Sequence, residues 1–151
     1  MFINLIPATE KTFNVQYEDY ALKHFLKDFE KKYPGDQWES TNKSILYELA
    51  RLRMPNNDIQ RTQQVDELNH GGCYWLFKYD FRIAKTKESY KTSGNRCIAF
   101  IDNDKDLLKI LLIYNKNHLP KNKDETVYIY DTIRLEYDWI WNEKFGGHLG
   151  R

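Results

Sequence analysis

Long apolar runs are missing: none of the 151 residues belongs to a stretch approaching the ~18 needed to cross a bilayer. No charged start followed by a long apolar segment marks a secretion signal. A soluble, cytoplasmic protein is expected. Cysteine is scarce. Cys73 and Cys97 lack metal-type spacing and read as reduced, semi-buried thiols. There is no P-loop, no Gly-rich dinucleotide fingerprint and no nucleophile elbow. His24, His70, His118 and His148 are scattered, so neither a metal nor a small-molecule cofactor is expected. Net charge is nearly absent as well, at +1, which excludes a uniformly basic surface. Aromatics are plentiful: 15% of the chain, within 41% apolar residues, excludes intrinsic disorder and suits one domain with one core.

"MFINLI", closed by Pro7, reads as a first strand or arm. Leu22, Phe25, Leu26, Phe29 and Tyr33 then recur at helical spacing up to the stop Pro34-Gly35. Asp36 and Glu39 suggest a capping box for a second helix burying Trp38, Ile45, Leu46, Leu49 and Leu52, and ending before Pro55. The pair predicts a helix hairpin. A polar connection follows, with one helical turn expected near Val65–Leu68. "YWLFKYDFRIA" alternates: Trp75, Phe77, Tyr79, Phe81 and Ile83 on one face, Lys78, Asp80 and Arg82 on a half-exposed other. "RCIAFID" and "LLKILLIYN", joined by "NDKD", complete a three-stranded antiparallel meander. The spacing of Ile129, Ile133, Tyr137, Ile140 and Trp141 predicts a C-terminal amphipathic helix ended by Gly146-Gly147. The expected class is α+β: an N-terminal helix hairpin packed on a small twisted antiparallel sheet, with a C-terminal helix.

Charge is unevenly distributed. Between Arg82 and Lys123 stand ten basic and four acidic residues, near +6, leaving the remainder near −5. Two readings fit: lysines that keep a sheet edge soluble, or a rim for an anionic partner. The set is Arg82, Lys85, Lys87, Tyr90, Lys91, Arg96, Tyr114, Lys116, Asn117 and His118, extended by Lys121. Period 2 turns Arg96 and Ile98 one way, Cys97 and Ala99 the other, so with the strands paired in order the cations can gather on one face or rim of the sheet, away from the helices. Cleavage of RNA through the ribose 2′-OH needs such groups, because charge builds on the non-bridging phosphate oxygens. Tyr, His or a lysine of lowered pKa can move the protons.

The order Phe81-Arg82-Ile83-Ala84, then Lys91-Thr92-Ser93-Gly94-Asn95-Arg96, then Ile113-Tyr114-Asn115-Lys116-Asn117 resembles the RelE/HigB-like toxins of bacterial type II toxin–antitoxin systems, of the RelE/ParE superfamily. The likeness covers residues 17–130 of one domain spanning 1–151, with 131–151 as a C-terminal extension. It implies a ribosome-dependent mRNA endonuclease acting in the A site by 2′-OH attack, without metal, silenced by a cognate antitoxin. It implies that Arg82 and Arg96 hold the phosphate, Lys91 the RNA backbone, and Lys116 the leaving-group side. Tyr114, His118 and Tyr128 stand as alternatives for proton transfer or stacking. Lys85, Lys87, Asn117 and Lys121 complete the RNA-binding set. Alternatives are a ParE-like inhibitor of DNA gyrase and a mobile-element protein that binds nucleic acid without cutting it. The tail bearing Tyr137, Trp139, Ile140 and Trp141 is expected to contribute to an interface.

Overall fold

The computed structural model describes residues 12–52 and 64–147. The arm at 1–7 and the first part of the polar connection lie outside them. In chain order come β1 (Asn14–Tyr17), α1 (Asp19–Lys23), α2 (Leu26–Lys32), α3 (Asp36–Ala50), β2 (Val65–Gly71), β3 (Tyr74–Phe81), α4 (Tyr90–Ser93), β4 (Asn95–Asp102), β5 (Leu107–Asn115) and α5 (Glu125–Glu136). A 3₁₀ turn over Lys116–His118 follows β5, and a π-helical turn over Trp139–Lys144 follows α5. The class is α+β, but a strand precedes the helices. The sheet is mixed: β2 to β5 form an antiparallel meander, and β1 lies parallel beside β5 in the order β1-β5-β4-β3-β2.

The first expected helix is two helices. Phe25 adopts φ +68 and breaks the ladder between α1 and α2, leaving Leu22 41% exposed. A continuous helix serves one core, whereas this segment serves two. Leu26 and Phe29 pack with α3, while Phe25 turns to the opposite face and stacks on His118 at 4.8 Å. The expected capping box does not form. Gly35 is the N-cap, and Asp36 and Glu39 sit in the first turn, where their charge complements the helix dipole. The expected turn at Val65–Leu68 is the edge strand β2, paired with β3 through Val65↔Tyr79 and closed by a hairpin in which Gly72 has φ +60.

Both faces of the sheet are covered. Trp75, Phe77, Tyr79, Phe81, Cys97, Ala99 and Ile101 meet α3 on one side. Leu76, Ile98, Phe100, Leu111 and Leu112 meet Ile129, Ile133, Tyr137 and Ile140 on the other. Every residue of β4 is therefore buried. The polar face of β3, expected half exposed, is largely enclosed: Asp80 is buried and Lys78 half-buried. The cause is α5, the first part of the expected tail helix, which stops at Glu136 instead of running on to Gly146; its N-cap Asp124 accepts from the Thr126 and Val127 amides. It is pinned at two bulges. β5 carries an extra residue, Leu111, between the pairs Ile98↔Leu112 and Ala99↔Ile110, and β2 carries Leu68 between Glu67 and Asn69. The Tyr137 hydroxyl donates to Leu111 O at 2.7 Å, and that of Tyr130 to Leu68 O at 3.2 Å. Bulges leave a backbone group off the ladder, and tyrosines of the covering layer satisfy both.

Candidate nucleic-acid interface

Strand register aligns three polar residues across the α5-covered face: Asp80 opposite Arg96, and Arg96 opposite Tyr114. Period 2 had placed Arg96 with Ile98, and so it stands, but under α5 rather than on an open face. The first residue of α5 closes the row. Glu125 Oε2 lies 2.7 Å from Arg96 Nε and accepts the Tyr114 hydroxyl at 2.6 Å. Asp80 Oδ1 lies 3.7 Å from Arg96 Nη1. The Arg96 side chain is 10% exposed and that of Glu125 22%. Burial pushes the Asp80 carboxyl above the usual range, against the pull of Arg96. Burial, then the bond to Glu125, pushes the Tyr114 hydroxyl well above its usual range. Arg96 Nε and Nη1 are buried and carry ion contacts without an aligned hydrogen bond. Glu125 thus occupies the Nε side of the Arg96 guanidinium.

The remaining cations collect at one end of the sheet, where β3 ends, β4 begins and β5 ends. Arg82, Lys85 and Lys87 lie on the β3–α4 connection, Lys91 on α4, Lys116 on the turn after β5 and Lys121 just beyond it; all six are exposed. Among the described residues none of them has a carboxylate within 4.0 Å, whereas Arg96, Lys109, Lys123 and Arg134 do. Glu88 shares the β3–α4 connection and is also exposed. The scaffold beneath is firmly tied. Ser93 Oγ donates to Phe81 O at 2.6 Å and accepts the Asn95 amide. Asn115 Nδ2 donates to Ser93 O at 3.0 Å and Asn95 Oδ1 at 2.7 Å, while its Oδ1 accepts the Asn117 amide. The Lys116 amide donates to Gly94 O at 2.9 Å. Gly94 has φ +75, and a Cβ there would meet the Lys116 side chain at 3.6 Å. That distance is ordinary van der Waals contact, so it is the left-handed backbone, not space for the lysine, that calls for glycine at this position.

The candidate residues divide. Lys91, Lys116 and Asn117 share the open end with Arg82, Lys85 and Lys87. Arg96 and Tyr114 are enclosed. Arg82 and Arg96 lie on opposite faces of the sheet: Arg82 borders a groove shared with Thr41, Glu48 and Tyr79 of the α3 side. His118 accepts the Asn115 amide at Nδ1, stacks on Phe25 and faces Asp28 at 3.9 Å. Burial moves its pKa down, so the neutral ring is favoured. Tyr128 meets Tyr114 edge to face. Sequence reasoning missed Asp80 and Glu125 as partners of Arg96. Asp80 carried a signal, since alternation set it on the strand face that pairs with Arg96. Glu125 carried none beyond its place after an N-cap. No three histidine, cysteine or acidic side chains gather as a metal centre among the described residues, and no helix there is long and apolar enough to cross a membrane. Comparison with protein-family models, with curated proteins and with solved structures finds no match.

Proposed function

We propose that this chain is a RelE/HigB-like toxin that binds messenger RNA in the ribosomal A site through the cationic end of its sheet and cleaves it. One observation carries the reading: six exposed cations converge at that end without carboxylate partners among the described residues. Unpaired cations release counterions from a polyanion on binding, which is the dominant source of affinity for nucleic acid. In the cut, the 2′-oxygen bonds to phosphorus and the bond to the 5′-oxygen breaks. One proton leaves the 2′-OH and one reaches the 5′-oxygen. Arg82 and Lys116 stabilise charge on the phosphate oxygens. Arg96 and Tyr114 join only when Glu125 withdraws. A cognate antitoxin holds the activity in check. Induced expression followed by mapping of 5′ ends on cellular mRNA tests the reading: codon-phased cuts are expected, and Arg82→Ala or Lys116→Ala should abolish them.

The lock formed by Glu125, Arg96 and Tyr114 favours a second reading, a protein that grips nucleic acid or a host protein without cutting RNA. Growth arrest with intact mRNA would favour it, and blocked DNA supercoiling would point to gyrase.

A further inference from the structure

The α3 side of the cationic end contains a groove of about 370 Å³, lined by Ser40, Ser44 and Glu48 of α3 and by Arg82, Lys85 and Tyr90 opposite. Ser40, Ser44 and Glu48 are spaced four apart and so stand in a row along one side of the helix. The groove is built before any ligand arrives. Thr41 Oγ1 accepts the Ala84 amide at 2.8 Å, and Gln37 Nε2 donates to Ala84 O at 2.9 Å. Ala84 is thereby clamped to α3 through both backbone groups, between the two cations. Lys85, next in the chain, adopts φ +67, a conformation that non-glycine residues hold only when their surroundings impose it. Tyr90 is held by the short helix α4, through the Ser89–Thr92 cap and the bond from Ser93 to Phe81 O. The Tyr79 hydroxyl donates to Glu48 Oε1 and fixes the carboxylate, whose second oxygen has no hydrogen-bond partner among the described residues. A larger cavity, about 530 Å³, sets three carboxylates, Glu18, Asp19 and Glu136, against Lys23 and His24, a balance that disfavours phosphate.

We propose that the α3 groove is a ribonucleotide subsite of the RNA-binding end, in which Arg82 and Lys85 hold a phosphate, Tyr90 stacks on a base, and Ser44 with Glu48 bond the ribose 2′-hydroxyl. A cation pair alone accepts any phosphodiester. A hydroxyl and a fixed carboxylate on the facing wall accept a ribose 2′-OH, the group that separates RNA from DNA. The groove is thus the part of the interface that makes it selective for RNA. The inference rests on the reading of the cationic end as an RNA site.

The test is binding of hexauridylate and its 2′-deoxy counterpart to the full chain and to Ser44→Ala, Glu48→Gln, Arg82→Ala and Lys116→Ala. Ser44 is exposed on α3, so its alanine variant folds, and circular dichroism checks the others. The ribo-oligomer is expected to bind about fivefold tighter, the worth of one net hydrogen bond. Ser44→Ala and Glu48→Gln should each reduce that preference and together erase it, and Arg82→Ala should weaken both oligomers about tenfold. Lys116→Ala should weaken both while keeping the preference. Equal affinity for both oligomers, or a preference that survives the Ser44 and Glu48 changes, overturns the subsite and leaves the cationic end standing. Binding of neither oligomer overturns both.

Discussion

Replacing Glu125 by alanine removes the carboxylate that neutralises Arg96 beneath α5. The lost contacts are the 2.7 Å ion pair and the 2.6 Å bond from Tyr114. Deleting one partner of a buried pair costs about 3–5 kcal/mol, chiefly through the stranded charge. Two features reduce this. Asp80 remains 3.7 Å from the guanidinium, and the Glu125 side chain, at 22% exposure, was never fully desolvated. A loss of about 2–3 kcal/mol follows. In a domain of this size that is a fall of about 5–10 °C in Tm. Urea unfolding followed by tryptophan fluorescence measures it, with Arg96→Met and the double variant completing a cycle. The double variant should be less destabilised than the sum of the singles, because neither charge is then stranded. A single-variant loss below about 0.5 kcal/mol, or an additive cycle, would refute the argument that Glu125 seats Arg96. If Glu125 also stands in for phosphate, the variant should bind single-stranded RNA more tightly, with a salt slope steeper by about 0.7.

Three further outcomes follow from the same contacts. Tyr137→Phe leaves the Leu111 carbonyl at the β5 bulge without its 2.7 Å donor and should cost about 1–2 kcal/mol in urea unfolding, more than Tyr130→Phe at the longer, less buried contact. Burial pushes both thiols up and Cys97 lies inside the core, so a thiol reagent should titrate Cys73 slowly in the native protein and Cys97 only on unfolding; equal native rates would contradict the packing. His118 favours its neutral form when folded, so as pH falls below its ordinary value the unfolded chain takes up the proton first and stability declines. Melts between about pH 7.5 and pH 5 should show a decline that His118→Gln flattens.

The β4–β5 hairpin and α3 were legible because each announces itself locally: two apolar, β-rich runs across a four-residue turn, and a stripe recurring at helical spacing. β2 was not. As an edge strand it needs little buried side, and Asp66 to His70 contain no apolar alternation to reveal it. The break at Phe25 was invisible for a different reason: a left-handed phenylalanine is imposed by two cores competing for one segment, which no local pattern encodes. Alternation put Asp80 on the polar face of β3 and Arg96 with Ile98 on β4, but it reports polarity, not solvation. Whether that face met water depended on where α5 docked, and so Glu125 entered unforeseen. Lys91, Lys116 and the β3–α4 cations needed only the strand ends to converge, and strand order placed them.

The proposal that RNA binds at the cationic end of the sheet is tested most directly by the salt dependence of affinity for a single-stranded oligoribonucleotide. Neutralising about four phosphates predicts a slope of log affinity against log salt near −3. Lys91→Ala together with Lys116→Ala should make it shallower by about 1.4. No measurable binding near ~50 mM salt, or a slope that the double substitution leaves unchanged, would contradict the account.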